Sequence, residues 1–197
     1  IAETVAPLEG YKGVELNLSC PNVEEKALDH GRNPEFVEKL TGVVKKRLPH
    51  KAVLIKITPN VTDIGAVARA AEAGGADGIS AINTLKALVV DVETRRPSLS
   101  NGLGGLSGPA IRPVALRMVW ECARAVEIPV CGVGGICTAE DAIQFLLCGA
   151  AAVQVGTANF LNPTAAVEVA DGIAEYCVRH GVDRVSDLVG RVEFPGR

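Results

Sequence analysis

The chain has 197 residues, enough for one domain with a sizeable core. Hydrophobic residues make up 48%, and 20 Lys and Arg stand against 23 Asp and Glu for a net charge of −3, so no basic face is offered to nucleic acid or anionic lipid. The longest apolar runs, such as residues 150–155, fall far short of the roughly 18 residues of a membrane span, and no membrane role is predicted.

The N-terminal IAETVAPLEG has no start methionine, basic n-region or apolar h-region, and reads as a chain taken up midway rather than a signal peptide. Residues 12–18 (KGVELNL) then predict a first strand. After a polar loop holding Cys20, Asn33-Pro34 supplies a cap and a proline at the first position of a helix running to residue 47. The run AVLIKI over 52–57 predicts a second strand, Thr62-Asp63 opens a helix to residue 73, and Gly74-Gly75 stops it. A third strand follows at 77–82 (DGISAI). The connection 83–109 is the one long stretch with no predicted element, and such stretches are usually functional or disordered.

The second half repeats the scheme: a helix over 110–126, a strand at 128–133 (IPVCGV), and a helix over 138–147 opened by Thr138-Ala139-Glu140 and followed by Gly149. A fifth strand at 151–155 (AAVQV) and a helix at 163–180 complete it. Short, mostly apolar strands alternating with helices predict a parallel sheet buried on both faces, either an open doubly wound sheet or a (β/α)8 barrel. A barrel takes about 250 residues, so five units are too few to close one.

In either fold the ligand lies beyond the carboxyl ends of the strands. Those ends carry Asn17, Ser19, Cys20 and Asn22, then Lys56, then Asn83 and Thr84, and finally Gly132 to Gly135 and Gly156-Thr157. Small residues after the last two strands let the backbone approach an anion, as in the phosphate site that recurs after strands seven and eight of barrels; the alternative is two ordinary turns. With that assignment the chain supplies strands four to eight. Lys56 sits in an apolar strand, where a charge needs an anion; snorkelling at a strand end is the competing reading. Asparagines suit a ligand with amide and carboxylate edges, and equally serve as turn residues.

Six cysteines show no CxxC pair and no histidine at metal-ligand spacing, so no metal site is predicted and the thiols read as cytosolic. Cys122, Cys131, Cys137, Cys148 and Cys177 read as small hydrophobes. Cys20, in a polar loop after a strand, is placed to act as base or nucleophile, although neither His30 nor His50 is near it in sequence.

The motifs ELNLSCPN, IKITPN, INT before the long connection, NGLGGLSGPA, GVGGI and VGTANF resemble, in order and spacing from about residue 11 to about 165, the class 1 dihydroorotate dehydrogenases. These are FMN enzymes of pyrimidine synthesis built on a (β/α)8 TIM barrel. The stretch 82–113 looks most like the class 1B catalytic subunit, whose partner subunit carries FAD and a 2Fe-2S cluster and uses NAD as final acceptor. The resemblance implies that Cys20 takes the C5 proton of dihydroorotate while hydride leaves C6 for flavin N5. It implies substrate contacts from Asn17, Asn22, Asn83 and Thr84, and FMN contacts from Asn17, Lys56, Ile82, Gly108, Gly134, Gly135, Gly156 and Thr157. The glycines and Thr157 would hold the ribityl phosphate, and Lys56 would lie against the ring.

A cytoplasmic, homodimerising catalytic subunit is implied. Rival readings are a fumarate-using class 1A enzyme and a non-catalytic truncated binding module. A third is the flavin domain of dihydropyrimidine dehydrogenase, whose similar loop has Pro-His where this chain has Pro21-Asn22. The family's first three strands have no counterpart in the sequence. Residues 1–197 are therefore expected to form one FMN-binding domain that is a partial barrel with exposed edges, weak or absent flavin binding and a tendency to associate.

Overall fold

A computed structural model describes residues 2–18 and 31–195. In chain order the elements are α1 (Ala2–Val5), β1 (Gly13–Asn17), α2 (Pro34–Arg47), β2 (Ala52–Ile57), α3 (Ile64–Ala73) and β3 (Gly78–Ala81). Then come β4 (Leu85–Ala87), β5 (Val90–Asp91), β6 (Arg96–Pro97), β7 (Gly104–Leu106) and α4 (Arg112–Ala123). The chain continues through β8 (Val130–Val133), α5 (Ala139–Leu147), β9 (Ala152–Gln154), α6 (Ala158–Leu161) and α7 (Ala165–His180).

Local chemistry explains the helix boundaries. Asn33 Oδ1 accepts from the Phe36 N–H at 3.2 Å, and Asp63 Oδ1 from the Ala66 N–H at 2.9 Å, each satisfying a donor the first turn leaves open. Thr138 and Asp141 form a reciprocal capping box at the start of α5. Asp141 is buried and also accepts from the Cys137 N–H at 2.9 Å and pairs with Arg112, tying the loop after β8 to α4. Helix α4 starts later than its sequence pattern because Pro109–Ile111 forms a separate 3-10 turn ahead of it, and it ends at Ala123 rather than at residue 126.

Strands β1, β2, β3, β8 and β9 form one parallel sheet in that spatial order, which is also their order along the chain. The order never reverses, and α2, α3, α4, α5 and α7 pack each against the next in a single row. A doubly wound sheet would reverse its order and carry helices on both faces, so the arrangement is an arc of a barrel.

The expectation of a sheet buried on both faces holds for β3, whose four residues are all buried, and is corrected for the other strands. Val53, Ile55 and Ile57 of β2 are buried beneath the helices, whereas Leu54 and Lys56 point to the opposite face and are only half-buried. Glu15, Ser80, Cys131 and Gln154 occupy that same inner face, giving the strands a polar parity that two-sided burial would not show. The core lies between sheet and helices, where Ile55, Ile57, Ile64, Val67, Ile79, Val119 and Phe145 are fully enclosed, each stabilising the fold by about 1.5–3 kcal/mol.

The connection 83–109 is not structureless. It holds two antiparallel ribbons, β4 with β7 (Leu85 opposite Leu106) and β5 with β6 (Val90 opposite Pro97). Strands of two or three residues are too short to leave a readable alternation. The turn between β5 and β6 is closed by Asp91, whose carboxylate accepts from the Glu93 and Thr94 N–H groups at 2.9 and 3.0 Å.

Candidate active site

At the carboxyl ends of the strands a cleft of about 170 Å³ is walled by Lys56 from β2, by Ile82, Asn83 and Thr84 after β3, and by Val133, Gly134 and Gly135 at β8. Gly156 and Thr157 after β9 and Ser107, Gly108 and Ile111 before α4 complete it. Every predicted cofactor residue except Asn17 lines this cleft, together with the predicted substrate residues Asn83 and Thr84. Asn17 lies beside it and accepts from Asn83 Nδ2 at 2.9 Å. Cys20 and Asn22 lie outside the described residues. Larger cavities, of about 800 Å³ between Trp120 and Phe194 and about 550 Å³ beside β1, do not gather the strand-end residues.

The walls are held by the loops themselves. Asn83 Oδ1 accepts from the Thr84 N–H at 2.8 Å, and Asn60 donates to Thr84 O at 3.3 Å and accepts from the Lys86 N–H at 3.0 Å, so hydrogen bonds tie the β2 and β3 loops together. Thr157 Oγ1 donates to Ser107 Oγ at 2.9 Å across the opposite rim.

Gly135 has φ +78°, and a Cβ there would lie 2.6 Å from the Gly108 carbonyl oxygen and 3.0 Å from Arg112 Cβ, so backbone must pass backbone at this wall. A Cβ on Gly156 would meet nothing within 4 Å, and that glycine borders open space.

Close glycine backbone with the Ser107 and Thr157 hydroxyls at the rim fits the phosphate end of a flavin mononucleotide, and Asn83 and Lys56 offer an amide and a cation beside it.

Below the cleft lies a network that sequence reasoning missed. Lys56 Nζ is 3.4 Å from Glu15 Oε1, while Glu15 Oε2 accepts from Ser80 Oγ at 2.5 Å and from Gln154 Nε2 at 3.0 Å. Burial pushes the Glu15 carboxyl up, but the Ser80 and Gln154 hydrogen bonds and the Lys56 charge together hold it below its ordinary range. Cys131, on the same face, is pushed up by burial and by the Glu15 charge, against a hydrogen bond from Gln154 and the Lys56 cation. Cys122 fits the hydrophobe reading, with its thiol raised by burial to about 12. The available signal for Glu15 was parity: it lies two residues before Asn17 and so shares its face.

Fold and cleft together define part of a β/α barrel with a candidate ligand site at the carboxyl ends of its strands. The chain belongs to the dihydroorotate dehydrogenase family, whose profile matches residues 1–177.

It is 51% identical over 179 residues to the dihydroorotate dehydrogenase B (NAD(+)) catalytic subunit of Alkaliphilus oremlandii, covering 91% of this chain and 59% of that one. It is 47% identical over 192 residues to the protein of the same description from Bacteroides fragilis, covering 98% and 63%. The chain thus spans about three fifths of the length of these curated relatives. In fold it is similar to DHODH from Eimeria tenella, solved in complex with ferulenol, with a TM-score of 0.80 at 23% identity over 96% of this chain and 56% of that one. Among the described residues no helix is long and apolar enough to cross a membrane.

Proposed function

We propose that the chain is the greater part of the catalytic subunit of an NAD-linked, class 1B dihydroorotate dehydrogenase, oxidising dihydroorotate to orotate in cytoplasmic pyrimidine synthesis. The observation that carries this reading is the convergence of Lys56, Asn83, Gly108, Gly134, Gly135, Gly156 and Thr157 on one cleft in a chain of this family. Flavin mononucleotide, when bound, supplies the two-electron acceptor.

The chain's own residues do the rest. Gly108, Gly134, Gly135, Gly156 and Thr157 hold the phosphate, with Ile82 and Asn17 contributing to the ring site, and Lys56 offers a cation that offsets negative charge there. Asn17, Asn22, Asn83 and Thr84 hold the ring amides and carboxylate of the substrate. The Cys20 thiolate accepts the C5 proton, a task that suits a thiol because the ordinary thiol range lies within reach of neutral pH. A homodimer of catalytic subunits would pass electrons to a partner subunit holding FAD and a 2Fe-2S cluster, with NAD as final acceptor.

The test is the visible spectrum of the purified chain with added FMN, before and after anaerobic dihydroorotate. With FMN added in excess of its weak binding, bleaching of the flavin band in the wild type, slowed about 100-fold or more in Cys20→Ser, is the expected result for a general base. Equal bleaching in both would remove Cys20 from that role, and a flavin that binds but never bleaches would overturn the reading. Comparison of NAD, through the partner, with fumarate as acceptor separates class 1B from class 1A.

A further inference from the structure

We infer that Glu15 is a positioning residue for this cleft: it fixes the Lys56 ammonium on the wall and sets how much uncompensated positive charge Lys56 presents to a bound flavin ring. The inference rests on the reading above, in which Lys56 faces the flavin, and goes beyond it by assigning control of that cation to a residue that does not line the cleft.

An ion pair on its own would not carry this. A pair at 3.4 Å between two flexible side chains is easily exchanged for water. Here the carboxylate is held in place, because its other oxygen accepts from Ser80 Oγ at 2.5 Å and Gln154 Nε2 at 3.0 Å, and those two donors are 3.4 Å apart. The four residues come from β1, β2, β3 and β9, so the carboxylate is referenced to four strands of the sheet.

Side-chain exposures of 23% for Lys56 and 30% for Glu15 leave the pair part-desolvated, where its charges act more strongly on each other than at an open surface. Register fixes the direction. Lys56 lies opposite Asn17, which bonds Asn83 at the cleft, and Glu15 is one layer lower on the same face. Lys56 is therefore drawn from below by an anchored anion while its ammonium borders the space above. Neutralising Glu15 would leave that ammonium more positive toward the cleft.

The test uses Glu15→Gln, which keeps the shape and the acceptor for Ser80 but removes the charge, and Glu15→Asp, which restores the charge one methylene shorter. Lys56→Met and the Glu15→Gln/Lys56→Met double variant complete the set. The first readout needs no flavin: the rate at which a small amine-reactive ester acylates Lys56 at fixed pH, followed by mass spectrometry. Glu15→Gln should raise it severalfold, since losing the carboxylate frees the side chain from its anchored contact and lets it reach the reagent, and Glu15→Asp should return it toward wild type. Ser80→Ala, which loosens the anchor without touching either charge, should give a smaller rise and stands in if Glu15→Gln does not fold.

The second readout is FMN affinity and the reduction potential of bound flavin. Glu15→Gln should raise the potential in the wild-type background and leave it unchanged when Lys56 is Met. Unchanged acylation in both Glu15→Gln and Ser80→Ala overturns the inference, as does a potential shift that persists without Lys56. If Lys56→Met changes neither affinity nor potential, the placement of flavin against Lys56 fails, while the acylation rates still decide whether Glu15 holds it.

Discussion

Two glycines of the cleft differ in what a side chain would cost. Gly135, at φ +78°, faces the Gly108 carbonyl oxygen, and a Cβ 2.6 Å from a backbone atom cannot be relieved by turning a rotamer. Gly135→Ala should lose about 2–4 kcal/mol in urea unfolding, the sum of a left-handed non-glycine residue and an overpacked contact. Gly156 borders open space, and its φ lies outside the left-handed region. Gly156→Ala should change stability by less than about 0.5 kcal/mol while weakening FMN binding measured by flavin fluorescence, because the methyl enters the space assigned to the phosphate end. A stable Gly156→Ala with unaltered FMN affinity would move the phosphate elsewhere.

At the scale of elements, one carboxylate at the opposite end of the sheet joins three of them. Asp77, just before β3, accepts from the Val53 N–H of β2 at 2.7 Å and pairs with Lys45 in the last turn of α2. Burial pushes its carboxyl up, but the hydrogen bonds from Lys45 and Val53 and the Lys45 charge outweigh that and hold it below its ordinary value of 3.8.

A folded value below the unfolded one means the stabilisation is complete above 3.8, declines as pH falls through the lowered folded value, and is absent below it. Asp77→Asn should therefore cost about 1 kcal/mol at neutral pH, the scale of a part-exposed charged hydrogen bond, and the gap between variant and wild type should close in acid unfolding measurements. FMN binding should be unaffected, since the N-terminal ends of barrel strands serve stability and the ligand lies at the other end. A gap that widened in acid would contradict this assignment.

For the whole molecule the open arc is the governing feature. Among the described residues the outer edges of β1 and β9 have no strand partner, and an apolar cavity of about 550 Å³ lies beside β1 between Val14, Leu16, Leu40 and Val44. Unpaired edges and uncovered apolar surface favour association. The chain by itself should show concentration-dependent association in sedimentation velocity and weak FMN retention on desalting. A monomer at every concentration with tightly held FMN would contradict the partial-barrel proposal.

Strand and helix positions were legible because their signals are local: apolar runs, the caps Asn33, Asp63 and Thr138, and stops at Gly75 and Gly149, whose φ values of +90° and +108° suit glycine. The motifs likewise marked the cleft residues from Lys56 to Thr157 in advance. Less legible was anything set by partners far apart in sequence. Glu15 and Gln154 are separated by 139 positions, and neither has a local pattern that names the other. The ribbons of the β3–α4 connection were hidden for a different reason, being too short for periodicity to register. The sequence by itself determined the alternation of elements, the family and the polar residues at the strand ends, because those are properties of short segments. Only the tertiary structure decided that the helices cover one face, that the glycine walls meet across the cleft, and that Lys56 is held from below by Glu15. These depend on which strands become neighbours, and burial of the apolar face against the helices settles that for the sheet as a whole.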